Sequence, residues 1–456
     1  MRERAGAGAA GEVRNVAEEP RDRNGAGLTT RRWSAIALLV AVVLGGAAVL
    51  SLVGCGGGGG PTEAGEVELW VWLDAGLFEP IPELSHVLAA VDSAAGVGAT
   101  GVVLEVKTRT GEALVPSTAF PVARDILREI GGSLLGAVVE KCSQRGLQLA
   151  LGDHVFYGGN VRMRRGLVFR GGADWAVVRV GRKGLLSDTD NPELTWARLC
   201  PVHPDVQKAE LAFLDQLARI SGIGDIWLEG VGFPDVWSGF GPVARTQFES
   251  WLEGKVKNWP DDVLVRLGRD DSLKAGHYLR QWLLWRALAM KRFLKEAANT
   301  VHRANRDVTV GVVAGGWLPR SYQQGLNWAP QSYKWTSRWL PPDYGSASCA
   351  GEMDRLGVGL FFPYIREKDA KKGMRAAAEA EGFDAGWFSV EGCVKRVAAF
   401  QELSGKVTGV VHAGIWGKDL RQLERALKAA RRLGSVLVLD ASALNEMHAW
   451  RVLRQN

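Results

Sequence analysis

From Val67 onward, short apolar runs alternate with longer amphipathic stretches. The runs at 67–73, 101–107, 147–152, 225–229, 308–313, 356–362, 407–412 and 435–439 are rich in Val, Leu and Ile and lack strict polar alternation. Runs of that kind are strands buried on both faces, as in a parallel sheet covered by helices. Helical spacing fills the intervals at 82–95, 133–145 (closed by Gly146), 205–221, 243–257, 278–304, 394–403 and 419–433. A ninth short run, 386–390, falls in a loop ahead of the 394–403 helix.

Eight buried strands separated by helices, with long segments after strands three, four and five, predict an α/β fold of the (β/α)8 barrel type rather than an open sheet. An open doubly wound sheet would place a glycine-rich phosphate turn after its first strand. Here that turn reads Asp74-Ala75-Gly76-Leu77. No fixed-period repeat points to a solenoid. One barrel over 67–456 is expected, with loop insertions after strands 3, 4 and 5.

The N-terminal segment reads as an address. Residues 1–32 are polar and Arg/Gly/Ala-rich, and an uncharged apolar run follows over 33–54. It ends in Leu52-Val53-Gly54-Cys55, followed by Gly56 to Gly60 and Pro61. A positive flank, an apolar core and small residues ahead of a processing point form a secretory signal. Leu-x-Gly-Cys resembles a bacterial lipobox, which implies lipidation of Cys55. The alternative is an uncleaved transmembrane anchor, since the run is long enough to span; Arg31-Arg32 also allows a twin-arginine signal. Residues 1–55 are thus signal or anchor and 56–66 a flexible Gly-rich linker. The barrel is expected outside the cytoplasm, attached to a bacterial membrane.

Composition adds three points. The net charge of +6 is mild and scattered, with no basic run interleaved with aromatics, so nucleic acid is not an expected partner. Trp supplies 18 residues, more than Phe or Tyr, and several fall in Gly- and Pro-rich segments where loops able to stack on sugars are expected. Cys142, Cys200, Cys349 and Cys393 show no CxxC spacing, which removes zinc-ribbon and thioredoxin readings and leaves one or two disulfides open.

The chemistry lies at the strand ends. A barrel gathers Asp74, Glu105, Lys107, Asp153, His154, Glu229, Trp317, Tyr364, His412, Trp416 and Asp440 at one mouth. Five carboxylates so placed must pair with cations or face a wet cleft, because unpaired buried charge is penalised. Carboxylates walled by aromatics suit glycosidic-bond cleavage, which needs one acid for the leaving oxygen and another at the anomeric centre. Glu229 ends an apolar strand and opens the glycine-rich turn 230–234, and is the first candidate. Glu105 reads as a partner of Lys107 or Arg109. Asp153-His154 is an acid/base unit or a metal pair, and without a third ligand at recognisable spacing no metal is expected. Asp74 and Asp440, adjacent once the barrel closes, either bind substrate or brace the closure. His412 reads as a hydrogen-bonded core histidine. Glu391 stands at a helix start, where the dipole favours a carboxylate, and is a second candidate proton donor. GxSxG is absent, and no cofactor is implied.

In order along the chain, Gly111-Glu112-Ala113-Leu114-Val115-Pro116-Ser117, His203-Pro204-Asp205-Val206, Trp259-Pro260-Asp261-Asp262-Val263 and Trp282 to Arg286 are followed by Gly325-Leu326-Asn327-Trp328-Ala329, Ser389-Val390-Glu391-Gly392 and Val438-Leu439-Asp440. This series resembles bacterial TIM-barrel glycosyl-hydrolase-like envelope proteins of the "family 10-like" and α-amylase kind. The resemblance implies a (β/α)8 fold, action on a glycan and placement at the cell envelope. Such proteins carry Asp-Gly-Ile-x-Leu-Asp-x-x-Arg at strand four. Here the second acid is Glu229 and the Arg is Gly232, while the strand-five acid of amylase-type barrels is replaced by Gly315-Gly316-Trp317.

The expected function is a lipid-anchored glycoside hydrolase acting on an extracytoplasmic polysaccharide. Glu229 would be nucleophile or base, with Asp153 or Glu391 the proton donor. Asp74, Asp440 and His154 would contact substrate, and Trp317, Trp328 and Trp416 would stack on sugar rings. The competing expectation is a non-catalytic glycan-binding lipoprotein on the same barrel.

Overall fold

The structure, a computed structural model, describes residues 67–74, 83–131, 133–170, 172–267 and 272–454. The proposed signal and Cys55 lie outside the described residues. Strands β1 (Glu68–Leu73), β2 (Gly101–Lys107), β3 (Gln148–His154), β4 (Asp225–Glu229), β5 (Thr309–Gly315), β6 (Arg355–Gly359), β7 (Val407–His412) and β8 (Ser435–Leu439) close into a ring in chain order. Every pairing is parallel, and β1 closes the ring by pairing Val71 with both Val438 of β8 and Val102 of β2. This is a (β/α)8 barrel.

Between the strands run α1 (Leu84–Gly96), α2 (Arg124–Ile130), α3 (Leu134–Arg145), α4 (Pro204–Ala218), α5 (Pro242–Trp251) and α6 (Leu279–Ala304). They continue as α7 (Glu367–Gly373), α8 (Arg375–Glu381), α9 (Val390–Val397), α10 (Leu420–Ala430) and α11 (Ala441–Glu446). Helix boundaries follow local chemistry. Pro204 opens α4 behind a His203 cap, Gly146 takes the left-handed conformation that ends α3, and Ser389 caps α9 by accepting from the Gly392 amide at 3.1 Å. That cap starts α9 four residues ahead of the expected 394, because it recruits Val390 and Glu391 into the first turn.

The segment after β3 holds two small antiparallel pairs, Tyr157–Asn160 with Trp196–Arg198 and Val178–Gly181 with Gly184–Ser187. The one after β4 holds α5 and the pair Leu264–Leu267 with Ser272–Ala275. The one after β5 is built on 3-10 turns at Leu318–Gln324 and Tyr344–Ala347.

Side chains alternate about the barrel wall. On β4, Ile226 and Leu228 pack toward the helices, whereas Trp227 joins Trp70, Trp72, Val103, Ala150, Val410 and Leu437 in a separate interior core. The indoles fit because neighbouring strands carry glycine. A Cβ on Gly101 would come within 1.9 Å of the Trp70 ring, on Gly152 within 1.7 Å of Trp72, and on Gly311 within 2.4 Å of Trp227. Much of the tryptophan is therefore core, with Trp70, Trp72, Trp227, Trp282, Trp285 and Trp328 among the largest fully buried side chains. The sequence-based expectation of loop tryptophans holds for only part of the set.

Two other expectations are corrected. Cys142, Cys200, Cys349 and Cys393 are buried free thiols, so no disulfide joins them. Of the two partners expected for Glu105, Lys107 pairs instead with Asp153 and Glu210, because the β2–β3 register shifts between Glu105 and Lys107 and turns the lysine out of the barrel. Among the described residues no helix is long and apolar enough to cross a membrane.

Candidate active site

Glu229 stands at the C-terminal end of β4, facing the barrel mouth and almost wholly buried. The glycines that follow let neighbouring segments close over it. Gly230 has φ +76°, and a Cβ there would meet Tyr157 at 2.8 Å and Arg198 at 3.0 Å. Gly232 has φ +121°, and a Cβ there would meet the Gln324 carbonyl at 2.7 Å. Both features demand glycine. Glycine at 232 is thus a packing requirement of the segment after β5. The resulting cavity offers about 100 Å³ to the centres of water-sized molecules and opens to solvent. Its walls include Glu229, Tyr157, Arg198, Trp196, Trp317 and Phe361.

Trp317 reaches this wall because β5 ends in two glycines. A Cβ on Gly315 would lie 2.3 Å from the Trp317 ring, and one on Gly316 would lie 2.6 Å from the Gly359 carbonyl.

His154, the last residue of β3, sits beside Glu229 in the strand register, and its Nδ1 lies 2.7 Å from Glu229 Oε2. Its Nε2 is 3.7 Å from Glu105 Oε1, and all three side chains are buried. Burial, with the Arg109, Lys107 and Arg198 charges nearby, holds the His154 pKa well below the usual imidazole range, so the ring is neutral. Burial pushes Glu229 up to about 7, against the lowering pull of Arg109 and Arg198 and with a smaller upward push from Asp153. A carboxyl so placed keeps its proton into the neutral range. Tyr157 lies between two cations: Arg109 hydrogen-bonds to its phenol oxygen, and the Arg198 guanidinium stacks 3.9 Å from its ring centre.

The other expected site residues fall in different places. Asp153 points away from the mouth into a closed cluster behind the barrel wall, 3.0 Å from Lys107, whose ammonium also meets Glu210 and lies 4.0 Å over the Phe120 ring. Burial raises both carboxyl pKa values, Glu210 to about 7. Glu391 is exposed in the first turn of α9 and does not line the cavity. Asp74 accepts from the Ala441 amide at 3.1 Å and from Ser442 Oγ at 2.5 Å, tying β1 to the chain after β8. Burial and the Asp440 charge lift it to about 7.

Asp440 caps α11 by accepting from the Ala443 amide at 2.8 Å, and its φ of 74° turns it toward His412 Nε2 at 3.9 Å. Burial raises Asp440 to about 6 and lowers His412 to about 4. Trp317 is half-buried on the cavity wall. Trp416 is half-buried against the barrel interior, its indole N–H donating to the Phe362 carbonyl at 3.1 Å. Trp328 is fully buried and donates to the Gly315 carbonyl at 3.1 Å, bracing the strand end from behind. Among the described residues no group of three His, Cys, Asp or Glu is placed to hold a metal.

Sequence reading missed Tyr157, Trp196 and Arg198. They lie in the Gly- and Arg-rich segment after β3, whose pairing of Tyr157–Asn160 with Trp196–Arg198 brings together residues far apart in sequence. Its one legible signal is a strand-like Trp-Ala-Arg-Leu within an otherwise irregular stretch.

The fold is a (β/α)8 barrel with Glu229 and His154 at the C-terminal ends of adjacent strands. The solved structures it superposes on include glycoside hydrolases, and the fold is glycoside-hydrolase-like. The PgaB (BpsB) glycoside hydrolase domain from Bordetella bronchiseptica matches at TM-score 0.55 and 15% identity, over 85% of this chain and 98% of that one. An alpha-L-fucosidase isoenzyme 2 from Paenibacillus thiaminolyticus matches at TM-score 0.53 and 10% identity, over 85% of this chain and 48% of that one, so this chain spans about half its length. At such identities the likeness is one of fold alone. No protein-family model matches the sequence, and no curated protein matches it.

Proposed function

We propose that this protein is an exported, membrane-attached glycoside hydrolase in which Glu229 is the proton donor to the leaving oxygen. The observation that carries the reading is a buried carboxyl on the cavity wall whose pKa is raised to about 7. A general acid works best with a pKa near the operating pH. When His154 Nδ1–H donates to Oε2, the Glu229 proton sits on Oε1, toward the bound glycan. As the proton leaves, the Arg198 and Arg109 charges stabilise the carboxylate that forms.

The second carboxylate of this reading is Asp440. β8 and β4 lie four strands apart in the eight-strand ring, on opposite sides of the mouth. Trp317 and Trp196 supply apolar faces for sugar rings. Attachment is read from the N-terminal signal, with Cys55 the lipidated residue; mass spectrometry of the mature N-terminus tests the lipidation, which an intact segment over residues 1–54 overturns in favour of an uncleaved anchor.

A second reading, a glycan-binding protein without turnover, is favoured by one observation: among the described residues lining the cavity, Glu229 is the only carboxylate. A glycan-binding and hydrolysis screen of wild type and Glu229→Gln separates the two. Turnover by wild type that is lost in Glu229→Gln supports the hydrolase, whereas binding by both without turnover decides for the binder.

A further inference from the structure

We infer that the cavity takes an anionic sugar, with a carboxylate of the glycan held by the Arg198 guanidinium; this deepens, and rests on, the reading of the cavity as a glycan site. Arg198 ends the short strand Trp196–Arg198 and is half-buried on the cavity wall. Its Nε donates to the Phe156 carbonyl at 3.0 Å and its Nη2 to the Gly230 carbonyl. Those two bonds occupy the side edge of the guanidinium. The plane rests 3.9 Å from the Tyr157 ring centre. The end edge, formed by Nη1 and the second Nη2 hydrogen, remains for the cavity.

Among the described residues the Arg198 guanidinium has no carboxylate within ion-pair distance, which sets it apart from Arg179 on the same wall. Arg179 is locked to Asp188 and Asp235. Asp188 touches Arg198 only at the backbone amide, at 3.1 Å. Among the described residues no carboxylate forms an ion pair with the Arg198 guanidinium. Glu229 shares the cavity, but its burial keeps it neutral over much of the range below pH 7. A half-exposed guanidinium without an ion-pair partner is open to a charge-assisted pair with a ligand anion.

The geometry selects a carboxylate. A planar fork matches two carboxylate oxygens with parallel hydrogen bonds. Because two carbonyls and an aromatic ring already fix the guanidinium, little further side-chain freedom is lost on binding. The Trp196 and Trp317 faces on the same wall leave the ring of a uronic acid a stacking surface beside its carboxylate.

The test is calorimetric titration of full-length protein with tetragalacturonate and tetramannuronate, each against its carboxyl-reduced counterpart. Wild type is expected to bind at least one acidic form about tenfold or more tightly than its reduced form, the range of a charge-assisted hydrogen-bonded pair. Arg198→Gln is expected to abolish that preference, whatever its effect on affinity for the reduced form, and Arg198→Lys to restore only part of it. Circular dichroism establishes that both variants are folded, and if they are not, the wild-type ratio decides. Equal affinity for acidic and reduced forms, no binding of either, or a preference that survives in Arg198→Gln overturns the inference. Hydrolysis is read separately. Cleavage of reduced oligosaccharides without acidic preference sinks the anionic site and leaves the hydrolase standing, whereas Arg198-dependent acidic binding without cleavage does the reverse.

Discussion

His154 Nδ1 lies 2.7 Å from Glu229 Oε2, the two residues facing each other at the ends of adjacent parallel strands. One barrel register step therefore fixes which oxygen of Glu229 is held and which is left for a ligand. The neutral imidazole orients the carboxyl without adding a charge that would lower its pKa.

The first prediction concerns pH. With Glu229 raised from 4.5 to about 7, hydrolysis is expected to fall as pH rises through about 7, because the donor loses its proton. Stability follows the same group. Between pH 4.5 and about 7 the unfolded chain releases a proton that the folded chain retains, so this group's contribution is full below 4.5 and is lost as pH approaches 7. The accumulated loss is on the order of 3 kcal/mol. Glu229→Gln removes the titration, so the variant is expected to be more stable than wild type at pH 8 and closer to it at pH 4.5. Urea melts at both values check this; an equal difference at the two pH values refutes it.

Replacing His154 separates orientation from binding. His154→Ala is expected to lower kcat about 10- to 100-fold, the scale of a small misplacement of a reacting group, with KM little changed. The alkaline limb should also move, since the held oxygen loses its partner. A variant that changes KM alone would show that His154 contacts substrate and does not position Glu229.

Lys107 carries the buried charge of the Asp153–Glu210 cluster. Lys107→Met leaves two carboxyls behind the barrel wall without their cation and is expected to cost about 3–5 kcal/mol. Adding Asp153→Asn and Glu210→Gln to it should recover most of that loss. Denaturant melts of the single and triple variants measure it, and a triple variant no better than the single one is the adverse result.

Two tryptophans expected to share a role should part company. Trp317→Ala, on the cavity wall, is expected to weaken glycan binding with a stability loss below about 2 kcal/mol, as for a partly exposed side chain. Trp328→Ala, fully buried behind Gly315, is expected to cost about 3–5 kcal/mol. Comparable binding loss in both, at equal stability, would contradict the placement.

The barrel was legible in the chain because burial on both faces imposes a local signature. Apolar runs such as those at 101–107, 225–229, 407–412 and 435–439 match β2, β4, β7 and β8 to the residue. Glu229 was legible for the same reason: an acid ending such a run, ahead of glycines, has little packing reason to be there. Its partners were not. Whether Asp153 or His154 faces the mouth depends on strand parity, and whether Lys107 meets Glu105 or Asp153 depends on a one-residue register shift in β2. Neither leaves a mark in composition or spacing. Tyr157 and Arg198 reach Glu229 through a hairpin that joins residues 42 positions apart, counted from Phe156 to Arg198. The sequence by itself determined the periodic, buried framework and the acid that ends its fourth strand, because local periodicity reports burial. Only the tertiary structure decided which charges meet, because pairing depends on register and on contacts distant along the chain.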